Sequence, residues 1–218
     1  MRRDGRSWGT MTDSGSDRET QWLPIVALEG PSGVGKTTLL RAIAERLTRA
    51  AIPVEMASNN DSGRWGPVIR DLALDPDRSL TLALATAAAR AELREVARRP
   101  LLCDRYVLST LVYQRFAGIP INYLYSVNRP LLAASVTIVL QLDADELTER
   151  RRGRPRKSDW FKDRLGINRE IELYDEASAL LEQNGHRVRI VDASADESTI
   201  ADRLSAELAS SLAKFHPS

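Results

Sequence analysis

Hydrophobic positions form five short apolar runs along the chain, separated by longer segments with helix-like spacing. The runs lie at residues 24–29, 53–57, 101–104, 135–142 and 186–191. Short apolar runs that alternate with helix-length segments are typical of a parallel sheet wound with helices, because such strands are buried on both faces. The pattern therefore predicts an α/β fold with five strands.

The segments between these runs carry residues that favour helices. Residues 36–50 follow the first run, and residues 78–98 are dense in Ala, Leu, Glu and Arg, which are strong helix formers, until Pro100 ends them. Residues 58–66 are predicted as a loop. Residues 201–213 are predicted as a helix that covers the sheet.

The ends of the chain differ in composition from its middle. Residues 1–22 are polar and contain no apolar stretch that could serve as a signal peptide or membrane span. A chain of 218 residues with 43% hydrophobic content is long enough for one domain with a real core. We expect a disordered leader over residues 1–22, a single domain over residues 23–213 and a tail over residues 214–218.

The charges of the chain are nearly balanced, with 31 basic and 30 acidic residues. No overall field favours nucleic acid or a membrane, so neither is an expected partner, and any cationic site must be local. The single cysteine, Cys103, lies in an apolar run, which excludes an intramolecular disulfide and indicates a buried thiol. A cytoplasmic location is expected from this cysteine usage.

Residues 30–37, Gly-Pro-Ser-Gly-Val-Gly-Lys-Thr, match the phosphate-loop (P-loop) pattern after an apolar run and before a helix. The glycines let successive N–H groups turn inward, and the helix N-terminus adds partial positive charge. A chance glycine turn is the alternative, which the strand and helix on either side disfavour. The motif predicts a nucleotide-phosphate site, but it does not by itself separate a kinase from a GTPase or another ATPase.

Two residues of this loop have predicted roles in phosphoryl transfer. Lys36 would reach the β- and γ-phosphates as a catalytic cation, and the Thr37 hydroxyl would complete the shell of Mg²⁺. ATP and Mg²⁺ are the expected cofactors. The predicted ligands of the ATP phosphates are Gly30, Ser32, Gly33, Val34, Gly35, Lys36, Thr37 and Thr38.

The third apolar run ends in Asp104 and Arg105. In an open parallel sheet, the carboxyl ends of the strands form the edge at which ligands bind. Asp104 is a candidate metal ligand, and Arg105 could grip the phosphate or hydroxyl end of an acceptor. A simple ion pair at the strand end is the alternative. If the acceptor is an alcohol, Glu29 or Asp104 is the candidate base.

A basic segment follows the fourth run. Its cations are Arg150, Arg151, Arg152, Arg154, Arg156 and Lys157. A lid over about residues 150–163 that closes such cations over a transferring phosphoryl group would stabilise its charge and exclude water. A solvated helix face and a nucleic-acid patch are the alternatives. The catalytic candidates are Arg150, Arg154 and Arg156, although spacing does not identify which one acts.

These motifs, in this order, resemble the thymidylate kinase family of nucleoside monophosphate kinases from about residue 25 to residue 208. The matching positions are residues 28–38, Arg90, residues 103–114, the basic segment, Tyr174 and residues 191–193. Residues 104–114 are specific to this family rather than to P-loops in general. The resemblance implies a P-loop three-layer α/β/α sandwich with a parallel sheet in the order 2-3-1-4-5 and an arginine-rich lid. It also implies ATP-dependent phosphorylation of thymidylate or a related nucleotide, and a homodimer.

The resemblance also implies roles for individual residues. Arg105 would bind the acceptor phosphate, and Val34 leaves the P-loop without an arginine, which implies that the catalytic arginine lies in the lid. The expected substrate-binding residues are Glu29, Trp65, Arg70, Thr86, Arg90, Arg105, Thr110, Tyr113 and Gln114.

The chain departs from the family pattern in three places. Ser32 stands where the family has an aspartate, Thr86 stands where an aromatic ring stacks on thymine, and residues 58–66 replace a Glu-Pro-Gly-Gly stretch. Trp65 could compensate for the missing ring or simply pack. Two further hypotheses follow from these departures. One is a kinase of a nucleoside or another hydroxylated metabolite, and the other is an ATP-binding regulatory protein whose acceptor site has decayed.

Overall fold

Five parallel strands form one sheet in the order β2-β3-β1-β4-β5, which confirms the predicted fold class and strand order. The structure is a computed structural model that describes residues 22–58, 63–152 and 164–215. The strands are β1 Ile25–Glu29, β2 Glu55–Ser58, β3 Leu101–Asp104, β4 Ser135–Gln141 and β5 Arg187–Asp192.

The register of the central strands decides where the site can lie. Leu28 of β1 is opposite Asp104 of β3, and the backbone N–H of Arg105 donates to the Leu28 carbonyl over 3.0 Å. Both strands therefore end at the same edge of the sheet. The P-loop, which leaves β1 after Glu29, emerges beside the Asp104–Arg105 pair.

Helices cover both faces of the sheet. In chain order they are α1 Lys36–Arg49, α2 Trp65–Leu72, α3 Ser79–Val96, α4 Val107–Phe116, α5 Ile121–Asn128, α6 Ala144–Arg151, α7 Ile167–Gln183 and α8 Glu197–Leu212. Short 3₁₀ helices span Pro76–Arg78, Arg129–Leu132 and Ala213–Phe215.

The side chains of β1 alternate between two apolar layers, as expected for a strand buried on both faces. Val26 and Leu28 pack in the layer under α1 and α8. Ile25 and Ala27 pack in the opposite layer, under α3, α4 and α7. This burial fixes the strands and helices that carry the site, so the polar residues at the sheet edge rest on a rigid base.

Some element boundaries differ from the sequence-based expectations. The last helix begins at Glu197, before the predicted residue 201, because the Asp196 side chain accepts from the Thr199 N–H over 3.2 Å and caps it. Strand β2 is shifted towards Ser58. Trp22, which was included in the expected leader, lies 4.8 Å from the Arg94 guanidinium. The rest of the leader, residues 59–62 and most of the expected lid lie outside the described residues.

Within residues 22–58, 63–152 and 164–215, no helix is both long enough and apolar enough to cross a bilayer.

Candidate active site

The P-loop has the backbone geometry that a phosphate cradle needs. Gly30, Gly33 and Gly35 have φ angles of 131°, 88° and 106°, which side-chain-bearing residues rarely adopt. A Cβ atom on Gly30 would lie 2.5 Å from the Leu140 carbonyl oxygen of β4. The loop therefore needs glycine at position 30 for space as well as for conformation, and Gly35 starts α1 with its N–H groups facing the loop.

The Lys36 ammonium lies inside this loop. Its Nζ donates to the carbonyl oxygens of Gly30 and Pro31, each over 2.8 Å, and the side chain is buried. Burial lowers the pKa of Lys36 well below its ordinary value, repulsion from Arg105 lowers it further, and Asp104 partly offsets both. A buried cation of this kind is complementary to an anion entering the loop.

Thr37 and Asp104 meet at the sheet edge, as the metal-site prediction requires. The Thr37 hydroxyl donates to Asp104 Oδ2. Hydroxyl and carboxylate oxygens suit Mg²⁺, which keeps several waters and usually takes few protein ligands. Among the residues that the structure describes, no cluster of three or more His, Cys, Asp or Glu side chains could hold a metal. The Thr37–Asp104 pair thus fits a metal held mainly by phosphate oxygens and water.

Arg105 follows β3 with a φ angle of 69°, a strained conformation for an arginine. Its Nη1 donates to the Tyr174 hydroxyl over 2.7 Å and to Ser109 Oγ over 3.0 Å. Its guanidinium lies 5.2 Å from the centroid of the Tyr113 ring. These contacts fix the cation beside the P-loop, close to where an acceptor would meet the donor phosphates.

Glu29, expected from the sequence as a substrate ligand or base, makes hydrogen bonds within the protein. Its side chain is fully buried. Its Oε1 accepts from the N–H groups of Tyr106 and Ser109 over 2.7 and 3.1 Å, and its Oε2 accepts from Ser109 Oγ over 2.5 Å. The carboxylate holds the N-terminus of α4, where a negative charge is favoured, and it accepts three hydrogen bonds there.

A cluster of buried polar side chains lies between α3 and α4. Arg90 is 1% exposed, and it donates to Asn128 Oδ1 over 2.9 Å, to the Tyr106 carbonyl over 2.7 Å and to Thr110 Oγ1 over 2.8 Å. Burial lowers the pKa of Arg90 to about 10, so it stays cationic at neutral pH. Thr86, one helical turn before Arg90, is buried and donates to the Ala83 carbonyl.

Two buried polar atoms of this cluster have no hydrogen-bond partner within the described part of the chain. They are Arg90 Nε, a donor, and Gln114 Oε1, an acceptor. Gln114 lies one helical turn after Thr110, so both lie on the same face of α4. Buried polar groups are nearly always satisfied, so these two atoms are open to a polar ligand or an ordered water. We call Thr86, Arg90, Thr110 and Gln114 the acceptor pocket.

The other two expected substrate ligands, Trp65 and Arg70, lie on α2. The Trp65 indole N–H donates to the Glu92 carboxylate of α3, and the ring packs beside the apolar cluster of Ile69 and Leu72. This geometry supports the packing alternative for Trp65. Arg70 is exposed on α2.

Helix α6 brings Arg150 to the donor side of the P-loop. Arg150 donates to the Val34 carbonyl over 3.2 Å and to the Ala193 carbonyl over 2.9 Å. It borders a cleft of about 230 Å³ beside the loop, which we call the donor cleft. The donor cleft is lined by Val34, Gly35, Leu39, Leu140, Arg150, Ala193, Ala195, Glu197 and Ile200. Arg154 and Arg156 lie outside the described residues.

Arg151, which the sequence placed in the basic segment but not among the catalytic candidates, and Glu170, which the sequence did not single out, also lie at the site. Arg151 Nε donates to the Ser32 carbonyl over 2.8 Å, and its Nη2 donates to Glu170 Oε2 over 2.5 Å. One signal could have identified Glu170. It occupies a core position of α7, three and four residues before the buried Leu173 and Tyr174, and a carboxylate in such an apolar stripe is unusual.

The chain is similar to known proteins over most of its length. A family model described as thymidylate kinase matches residues 28–203. A thymidylate kinase from Pelotomaculum thermopropionicum is 33% identical over 198 residues, which cover 81% of this chain and 88% of that protein. One from Exiguobacterium sibiricum is 30% identical over 190 residues, 78% of this chain and 86% of that protein.

A third relative, the thymidylate kinase of Roseiflexus castenholzii, is 30% identical over 209 residues, which cover 84% of this chain and 91% of that protein. The match extends over the P-loop, the acceptor pocket and helix α7, so it is not confined to the nucleotide-binding motif. The resemblance seen in the sequence is confirmed, and the chain belongs to the thymidylate kinase family.

Proposed function

We propose that this protein transfers the terminal phosphoryl group of ATP to the phosphate of thymidylate, with Mg²⁺ as the metal. The match to the thymidylate kinase family carries the choice of acceptor. In the acceptor pocket, Arg90 Nε can donate and Gln114 Oε1 can accept a hydrogen bond. A thymine base can satisfy both atoms, because it offers carbonyl acceptors beside an N–H donor.

On the donor side, the P-loop and Lys36 would bind the β- and γ-phosphates. The donor cleft is continuous with the loop through Val34 and Gly35, and it has room for the base of a nucleotide. Arg150 borders this cleft through its contacts with the Val34 and Ala193 carbonyls. We therefore assign Arg150 primarily to the binding of ATP, and only secondarily to the transferred phosphoryl group.

On the acceptor side, Arg105 would bind the phosphate of thymidylate. It is fixed by Ser109 and Tyr174, and it lies close enough to Lys36 for the two charges to repel each other. Two anionic phosphates that enter between these cations would relieve this repulsion. Positioning two reactants by fixed cations is the main form of catalysis available to a phosphotransferase.

No general base is required for this reaction. The phosphate of a nucleoside monophosphate is already largely anionic near neutral pH, so its oxygen can attack without prior proton removal. The occupied Glu29 carboxylate is consistent with this scheme. A bound Mg²⁺ would neutralise developing charge on the phosphates, and Thr37 and Asp104 are the residues that would hold it.

Two further expectations stay proposals. The buried, free Cys103 and the nucleotide substrates fit a cytoplasmic protein. A homodimer stays a prediction, and Leu80 and Leu84 on α3 are exposed apolar residues that could contribute to it.

The proposed acceptor can be tested by comparing kcat/KM for thymidylate, deoxyuridylate, deoxycytidylate, deoxyadenylate and deoxyguanylate with saturating Mg-ATP. A site with buried hydrogen-bonding groups discriminates strongly against ligands that cannot satisfy them. We expect the two bases with an imide edge to exceed the other three by at least about a hundredfold. A preference for deoxycytidylate or a purine nucleotide would refute the proposed acceptor.

A further inference from the structure

Glu170 is a buried carboxylate that connects three elements of the site. It lies on α7 and is 3% exposed. Its Oε1 accepts from the Ser32 N–H over 2.9 Å and from the Tyr113 hydroxyl over 2.7 Å. Its Oε2 accepts from Arg151 Nη2 over 2.5 Å. One side chain thus joins the P-loop, α4 and α6.

On the donor side, Glu170 fixes the orientation of Arg151. The guanidinium is held at two points, because Nε donates to the Ser32 carbonyl while Nη2 donates to Glu170. The side chain lies directly on the loop, and a Cβ atom on Gly33 would be 3.0 Å from Arg151 Cγ. A cation held in this way is already positioned beside the loop that binds the phosphates.

On the acceptor side, Glu170 fixes the hydroxyl end of Tyr113, whose ring faces Arg105. Tyr174, one helical turn after Glu170 on α7, accepts from Arg105 Nη1 over 2.7 Å. The same face of α7 therefore holds Arg105 through Tyr174 and through the Tyr113 ring. Arg105 and Arg151 thus both donate to side chains of this helix.

We propose, on the basis of the proposed function, that Glu170 is a positioning residue for phosphoryl transfer. It orients Arg151 on the donor side and Tyr113, which faces Arg105, on the acceptor side. A carboxylate with only a structural role would affect folding and leave the turnover of the folded enzyme unchanged. If Glu170 only occupied the P-loop until ATP binds, it would slow the binding of ATP. Its removal would then leave kcat unchanged or increase it.

The substitution Glu170→Gln separates the two branches. The amide oxygen can still accept from Ser32 and Tyr113, whereas the amide nitrogen cannot accept from Arg151. The variant therefore removes the donor-side contact and keeps the size of the side chain. Glu172→Gln is the matched control, because it makes the same chemical change on the same helix at an exposed carboxylate that pairs with Arg169.

The decisive test is a double-mutant cycle between Glu170→Gln and Arg151→Ala, measured as kcat for thymidylate. We expect each single variant to lower kcat about tenfold or more. Because Glu170 would act through Arg151, the double variant should be within about twofold of Arg151→Ala alone. Glu172→Gln should retain the kcat of the unmodified protein. Additive effects, or an unchanged kcat in folded Glu170→Gln, would overturn the proposal.

Two further measurements keep the result clear. If Glu170→Gln does not fold, Arg151→Ala and Tyr113→Phe test the two branches separately, and unchanged kcat in both would overturn the positioning role. The slow hydrolysis of Mg-ATP by water is measured on all variants as an acceptor-independent rate. The unmodified protein could hydrolyse Mg-ATP without phosphorylating thymidylate, which would refute the proposed acceptor. A non-additive double-mutant cycle in the hydrolysis rate would then still support the role of Glu170. Absence of both activities would overturn both.

Discussion

The Thr37 hydroxyl donates a hydrogen bond to the Asp104 carboxylate, although 67 residues separate them in the chain. The contact follows from the parallel register in which Leu28 lies opposite Asp104, because that register ends β1 and β3 at one edge of the sheet. A P-loop that leaves β1 must then pass beside the residue that ends β3. The fold itself brings a hydroxyl and a carboxylate together where phosphates would bind.

Asp104→Asn is expected to weaken the response to magnesium. An amide oxygen is a poorer Mg²⁺ ligand than a carboxylate, and asparagine keeps only one acceptor oxygen for the metal and the Thr37 hydroxyl. The Mg²⁺ concentration for half-maximal activity should rise roughly ten- to a hundredfold. Titrating MgCl₂ at fixed ATP measures this shift. An unchanged titration curve would mean that Asp104 does not contribute to the metal site.

Arg90→Met should impair acceptor binding, with Arg94→Met as its control one helical turn away. Both arginines are buried on α3, but Arg94 donates to the Tyr106 hydroxyl and to backbone carbonyls, including that of Leu131. Each buried acceptor left unsatisfied costs about 1–3 kcal/mol, so both variants should unfold at lower denaturant concentration. Only Arg90→Met should raise the KM for thymidylate, with the KM for Mg-ATP unchanged. Equal effects of the two variants on both KM values would contradict a role of Arg90 in the acceptor pocket.

Gly30→Ala should damage both stability and activity. Its Cβ would lie 2.5 Å from the Leu140 carbonyl, and its φ angle of 131° disfavours a side chain. Gly118 also has a positive φ angle, 93°, but no atom lies within 4 Å of its Cβ position. Gly118→Ala should therefore show the conformational strain alone, about 1–3 kcal/mol, measured as the free energy of unfolding. A smaller loss for Gly30→Ala than for Gly118→Ala would show that the steric contact with β4 is unimportant.

His186 should make the protein less stable in mild acid. Burial lowers the pKa of His186 below its ordinary value of 6.5, and the Arg129 charge lowers it further. As the pH falls through 6.5, the unfolded chain takes up a proton before the folded protein does, so the stabilising contribution present above that pH is lost. Unfolding of His186→Gln between about pH 7 and 5 should show a weaker pH dependence. An identical slope in both proteins would contradict this assignment.

The sequence predicts the sheet well because its signals are local. The apolar runs at β3 and β4 are compatible with few structures other than strands, because glycine and proline divide the chain into short segments. The P-loop pattern predicts the strand before it and the helix after it. The predicted β3 and the observed Leu101–Asp104 coincide. The ends of elements are predicted less well where they consist of polar residues. The N-cap at Asp196, for example, extends the last helix beyond its apolar stretch.

The polar contacts of the site were much less predictable. Glu29 lies at the end of a strand that faces the site, and only the three-dimensional path of α4 reveals that its carboxylate caps that helix. Glu170 and Ser32 are 138 residues apart, and no local pattern connects them. Such contacts depend on how helices pack across the sheet, which a periodic pattern does not specify.

The central claim is best tested by separating the products of Mg-ATP and thymidylate by chromatography. The unmodified protein should form one thymidine diphosphate for each ADP, and Lys36→Ala should lower the rate by at least about a hundredfold because it removes the cation beside the phosphates. Formation of ADP without thymidine diphosphate, or equal rates in the two proteins, would contradict phosphoryl transfer to thymidylate at this site.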